Sequence, residues 1–114
     1  YGLSNGFFQE NWPKLSLGRD ALASRIENGT PSQSDLLQIL GNRTIAADQD
    51  LPKTGIPLDW ERSLSPLFIQ TPDYGTRFST LIYRHNNGQL EFTEKTYPVA
   101  DQKEGLKSFQ ITNS

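Results

Sequence analysis

The chain has 114 residues, and eleven basic against thirteen acidic side chains leave a net charge of −2. That balance supplies no basic field for a nucleic-acid backbone or an anionic membrane surface. With no cysteine and one histidine, disulfides, thiolate nucleophiles and most zinc geometries are excluded from these residues, so no metal or cofactor is expected.

Leu, Ile, Val and Phe make up about a quarter of the sequence, above the roughly 20% below which disorder becomes the default. A chain of this length is expected to form one modest core. No apolar run approaches the roughly 18 residues that a bilayer span needs, and a soluble, cytoplasmic chain is expected. Methionine is absent and the sequence opens at Tyr1 within a structured phrase, which suggests that residues are missing upstream.

Tyr1 to Phe8 mixes aromatic residues with Gly2, Ser4, Asn5 and Gly6, the pattern of a short strand running into a turn. Phe7 and Phe8 are expected in a core or an interface. Asn11 or Trp12 then caps a helix that has Pro13 in its first turn and stops at Asn28-Gly29. Leu15, Gly18, Leu22 and Ile26 fall near one stripe of it. A second helix is expected from a capping box of Thr30 and Gln33, with Leu36, Leu37 and Leu40 on its apolar face and Gly41 as its stop.

The polar stretch from Thr44 to Pro57 carries Pro52, Gly55 and Pro57 and is expected to be a connecting arm. Asp59 to Arg62 predicts one or two helical turns capped by Asp59 and ended by Pro66, with Trp60 as an anchor into the core. Asp59 and Glu61 lie two apart and point away from one another on a helix, so they do not make an acid-base pair.

From Thr76 the hydrophobic period changes to two. Arg77 to His85 and Gln89 to Tyr97 are predicted as strands of a hairpin turned by Asn87-Gly88. A two-residue loop there sets Arg84 opposite Glu91, Tyr83 opposite Phe92 and Ile82 opposite Thr93. His85 falls beside the turn, in an exposed structural role. Val99 to Glu104 is a polar connection, and Leu106 to Ile111 a third strand. The fold class is therefore α+β, an antiparallel sheet of about three strands with two helices on one face. Phe78 and Ile82 on one side of the first strand and Leu81 and Tyr83 on the other give the sheet two apolar faces. Two short helices can cover only one of them.

Several phrases occur in order: GLSN from Gly2, WPK from Trp12, GR.AL from Gly18, LP.TGIPL.WER.LSP.FI from Leu51, PDYGTR.STL from Pro72 and F.E..Y from Phe92. Together they resemble the carboxy-terminal half of the NRDE proteins, also called the transport and Golgi organisation 2 family. The combination of WER with PDYGTR is the specific part. The resemblance implies an N-terminal nucleophile hydrolase-like αββα sandwich, of which residues 1–114 would be a single partial domain. It also implies an amino-terminal cysteine nucleophile, which would lie in the absent half together with the NRDE motif.

Two catalytic positions follow from the same resemblance. Asn5, in a phrase similar to the TN.P turn of choloylglycine-type hydrolases, would donate its amide to an oxyanion. Arg77 would lie close to the nucleophile, favour its thiolate and hold a carboxylate or carbonyl oxygen. Tyr74 and Thr76 would line the entrance. The plainer readings are a turn-forming asparagine at Asn5 and a cross-strand or loop-pinning salt bridge at Arg77.

The implied activity is cleavage of amide or acyl bonds, absent from this chain alone. The alternatives are non-enzymatic binding or trafficking of a lipid, acyl or haem ligand, and a plain interaction domain. The expected partners are the missing amino-terminal half, a small acyl or amide ligand and, given an uncovered sheet face, a second copy of the chain; nucleic acid and a membrane span are not expected.

Overall fold

A computed structural model describes residues 1–6, 10, 12–98 and 103–112. The predicted places of Phe7 and Phe8, of Asn11 as a cap and of most of the Val99 to Glu104 connection lie outside the described residues. The chain divides after Gly75 into two compact units, residues 1–75 and 76–114, which are described in turn. Its class is α+β, and the described residues form three α-helices and one open three-stranded antiparallel sheet.

Within the first unit, residues 1–6 form no strand and bend at Asn5-Gly6. Helix α1 (Pro13–Glu27) starts at Trp12 with Pro13 in first position and ends at Asn28, as its punctuation predicts. Only Leu15 of its stripe is buried; Leu22 and Ile26 remain exposed. Gly18 closes against Leu67, and a Cβ there would stand 3.3 Å from that side chain.

Helix α2 (Gln33–Leu40) starts two residues later than expected. Its cap is Ser32, not Thr30: Ser32 Oγ accepts from Asp35 N and Asp35 Oδ2 accepts from Ser32 N, both at 3.0 Å. Asp35 outcompetes Gln33 as the box partner because a carboxylate in the first turn also meets the positive end of the helix dipole. Arg25 ties α1 to α2 by donating to Asp35 Oδ1 and Gln38 Oε1, each at 3.0 Å.

The two hydrogen bonds with Ser32, assisted by Arg25, hold the Asp35 carboxyl below the ordinary aspartate value of 3.8. A depressed folded-state pKa stabilises the fold above the unfolded value, and that contribution is lost as pH falls through the folded one. Thermal melts should therefore drop below about pH 4. Ser32→Ala should cost about 1 kcal/mol near neutral pH and flatten the acid limb, both read by circular dichroism.

The arm from Thr44 contains a 3-10 turn, Asp48–Asp50, pinned to helix α3 (Leu58–Leu64) by Arg62. Its guanidinium donates to both Asp48 oxygens at 2.7 and 2.8 Å and to Asp59 at 3.3 Å. The arrangement raises the pKa of Arg62 and lowers that of Asp48.

The cap of α3 is Pro57 rather than Asp59, and Trp60 is not the core anchor, since it is 53% exposed. The buried positions are instead Glu61, Ser65, Pro66 and Phe68. Their spacing puts Glu61 and Ser65 on one face of the helix, with Phe68 following in the same phase. Ser65 Oγ accepts from Ala46 N at 3.0 Å, and Phe68 N donates to Asn42 O at 2.9 Å. These bonds bind the arm to the segment after α3.

The second unit is the sheet: β1 (Phe78–Arg84), β2 (Leu90–Thr96) and β3 (Gly105–Ile111), in that order. The hairpin register differs by one residue from the expected one. Arg84 pairs with Leu90, Tyr83 with Glu91 and Ile82 with Phe92.

The loop has three residues, Asn86 to Gly88, rather than two. His85 N donates to Gln89 O at 2.8 Å, and Gly88 N to His85 O at 2.9 Å. Gly88 adopts φ +86°, the left-handed residue that completes a three-residue hairpin loop. Asn87 caps it through Oδ1, which accepts from Gln89 N. The slip separates Arg84 from Glu91, whose carboxylate meets His85 Nε2 at 3.3 Å instead. His85 is exposed and stacks near Tyr83, with ring centroids 6.4 Å apart.

The sheet has two distinct faces. One carries Ser79, Leu81, Thr93 and Ser108; the first three are buried, and Thr93 and Ser108 share a hydroxyl hydrogen bond of 3.0 Å. On the other, the pairing aligns Ile82, Phe92 and Phe109 in one row and Arg84, Leu90 and Ile111 in the next. Phe78, Ile82, Phe109 and Ile111 are each more than half exposed. Among the described residues this is the more exposed of the two apolar faces.

Candidate functional site

A pocket of about 210 Å3 opens in the first unit, and all its walls belong to that unit. The start of α1 contributes Trp12, Pro13 and Lys14; the arm contributes Pro52, Thr54 and Ile56; α3 and the residue after it contribute Glu61, Leu64 and Ser65. Asn5, Ile69 and Tyr74 complete the lining.

The turn before the sheet sets the position of Tyr74. Thr71 Oγ1 accepts from Tyr74 N at 2.9 Å, and Thr71 N donates to Tyr74 O at 2.8 Å. Gly75 then bridges Gln70. A Cβ at Gly75 would stand 2.8 Å from Ile69 O, so the close backbone approach at this turn requires glycine.

Two charges face this small space. Lys14 is half-buried, and Nζ donates to Leu64 O at 2.6 Å; burial lowers its pKa from the ordinary 10.5. Glu61 is only 7% exposed. Its Oε1 accepts from both Thr54 N, at 2.9 Å, and Thr54 Oγ1, at 2.7 Å. Among the described residues no ion pair joins the two groups. Trp12 Nε1 is buried without an acceptor among the described residues, lying beside Gly6, where an added Cβ would stand 3.0 Å from it.

Of the four residues singled out from sequence, Asn5 and Tyr74 meet in this pocket, while Thr76 and Arg77 belong to the sheet unit. Asn5 is exposed, and its side chain makes no hydrogen bond among the described residues. Arg77 immediately precedes β1, where its carbonyl accepts from Tyr97 N at 2.9 Å. Its exposed guanidinium makes no ion pair among the described residues, so no loop-pinning or cross-strand bridge of Arg77 is present there.

Trp12, Lys14 and Glu61 fall in the phrases WPK and WER, but the sequence assigns none of them to the site. The signal for Glu61 was its phase: it occupies the α3 position, four residues before Ser65, at which an inward-facing helix normally places an apolar side chain.

A helical unit with a small pocket and an antiparallel sheet together define an α+β chain. Residues 1–98 match the family Transport and Golgi organisation 2, and the chain belongs to that family. It is 31% identical over 113 residues to the Transport and Golgi organization protein 2 homolog of Bos taurus, an alignment covering 89% of this chain and 40% of that protein. The homologs of Mus musculus and Homo sapiens are each 28% identical over 108 residues, covering 84% of this chain and 38% of theirs. The chain thus spans about two fifths of the length of these curated relatives. Among the described residues no helix is long and apolar enough to cross a membrane.

Proposed function

We propose that this chain is the carboxy-terminal part of an N-terminal nucleophile hydrolase-like protein acting on amide or acyl bonds, with the nucleophile on an upstream segment. The observation that carries the reading is the pocket in which Asn5 and Tyr74 meet. The Asn5 amide, which makes no hydrogen bond among the described residues, is available to an oxyanion, and donors aimed at developing negative charge are the largest single source of rate in acyl transfer. Arg77, with no carboxylate partner among the described residues, is available to a thiolate or a substrate oxygen.

The open sheet face with Phe78, Ile82, Phe109 and Ile111 fits a layer supplied by the remainder of the protein. Contiguous apolar surface of this kind marks an interaction site, and the relatives are more than twice as long as this chain.

The second reading, binding or carriage of a lipid, acyl group or haem without chemistry, is favoured by the apolar wall of Pro13, Ile56, Leu64 and Ile69. A pocket of about 210 Å3 suits the end of an acyl chain better than a macrocycle. The two readings separate on the first residue of the mature full-length protein. Cysteine, serine or threonine there, with loss of amide turnover when it becomes alanine, supports the hydrolase; any other residue leaves binding.

A further inference from the structure

We infer that the pocket recognises an uncharged amide group at the end of a short apolar chain, with Lys14 serving its carbonyl oxygen and Glu61 its N–H. The inference rests on the proposed amide or acyl chemistry and names the part of the substrate that this unit would hold.

Both groups are fixed yet incompletely used. An ammonium carries three donors, and for Lys14 the structure gives one acceptor, Leu64 O. Glu61 commits Oε1 to Thr54, while Oε2 makes no hydrogen bond among the described residues. Leu64, whose carbonyl holds the lysine, and Glu61 lie three apart on α3, and both line the pocket with Lys14.

Glu61 Oε2 is not sealed from solvent, since among the described residues only Trp12 Nε1 is a buried polar atom without a partner, so it can be reached from the pocket, and burial disfavours the Lys14 ammonium. One ligand group with an acceptor and a donor can serve both sites. A carboxylate would suit Lys14 but be repelled by Glu61, and an ammonium would suit Glu61 but be repelled by Lys14. An amide offers C=O and N–H together and brings no charge. The available volume equals about seven waters at roughly 30 Å3 each, enough for a group the size of pentanamide.

The test compares three probes of one length, pentanamide, pentanoate and pentylamine, titrated into the 15N-labelled intact chain and read at the Trp12 indole N–H. Pentanamide should bind at least tenfold more tightly than either charged probe. Glu61→Gln keeps an acceptor for Thr54 but presents an NH2 in place of Oε2, so the order should invert, with pentanoate binding better than pentanamide. Lys14→Met, which retains the apolar stem, should weaken pentanamide tenfold or more.

Melting curves establish that each variant folds, and Lys14→Met carries the test if Glu61→Gln does not. Equal binding of the three probes, no binding of any, or one unchanged order in wild type and Glu61→Gln would overturn the inference. The hydrolase reading fails separately. Pentanamide bound as described, with no amide turnover by the full-length protein, removes hydrolysis and leaves the recognition site.

Discussion

Replacing Asn5 by alanine in the full-length protein is expected to lower kcat on an amide substrate by roughly 10²- to 10³-fold, the effect of removing one oxyanion donor. KM should change little, because a donor aimed at the developing oxyanion acts on the transition state more than on the bound substrate. The fold should survive, since the Asn5 side chain is exposed and holds no hydrogen bond among the described residues. Arg77→Lys should also lower turnover while leaving the melting temperature unchanged. Lysine keeps the charge but loses the planar fork that grips a carboxylate or carbonyl in two places. Turnover unchanged in both variants would return Asn5 to a bend former and Arg77 to a surface cation.

The second large effect concerns the open sheet face. The 114-residue chain should associate through it, with the remainder of the protein or, when that is absent, with a second copy. Burying a large apolar side chain contributes about 1.5 to 3 kcal/mol. Charging two of them, Ile82→Lys with Phe109→Lys, should therefore weaken association by at least roughly 100-fold. These residues sit in one cross-strand row with Phe92, so the paired change removes the centre of the patch. Both are more than half exposed, and the hairpin should persist. Sedimentation equilibrium reads the result. A wild-type chain that stays monomeric at all concentrations and does not bind the remainder of the protein would remove the interface.

Local chemistry explains which parts of the fold were legible in the sequence. Pro13, Asn28-Gly29 and the alternation from Phe78 onward define their elements through backbone preferences that operate within a few residues. Competition between neighbouring signals was harder to read. Ser32 with Asp35 displaced Thr30 with Gln33 because the charged partner gains from the helix end. A third loop residue, with Gly88 in the left-handed region, moved every hairpin pair by one.

The pocket was half legible. Asn5, Lys14, Glu61 and Tyr74 all stand in recognisable phrases, but Lys14 and Glu61 look like ordinary solvated charges until Thr54 of the arm engages Glu61. Trp60, the expected anchor, lies more than half exposed, and Glu61 beside it occupies the inward position.

An amide- or acyl-cleaving site completed from upstream is tested by amide turnover of the 114-residue chain alone, of the upstream segment alone and of the two together. Turnover is expected only when they are combined, and should fall with Asn5→Ala. Turnover by the upstream segment alone at the combined rate, or none in the combination, would contradict this.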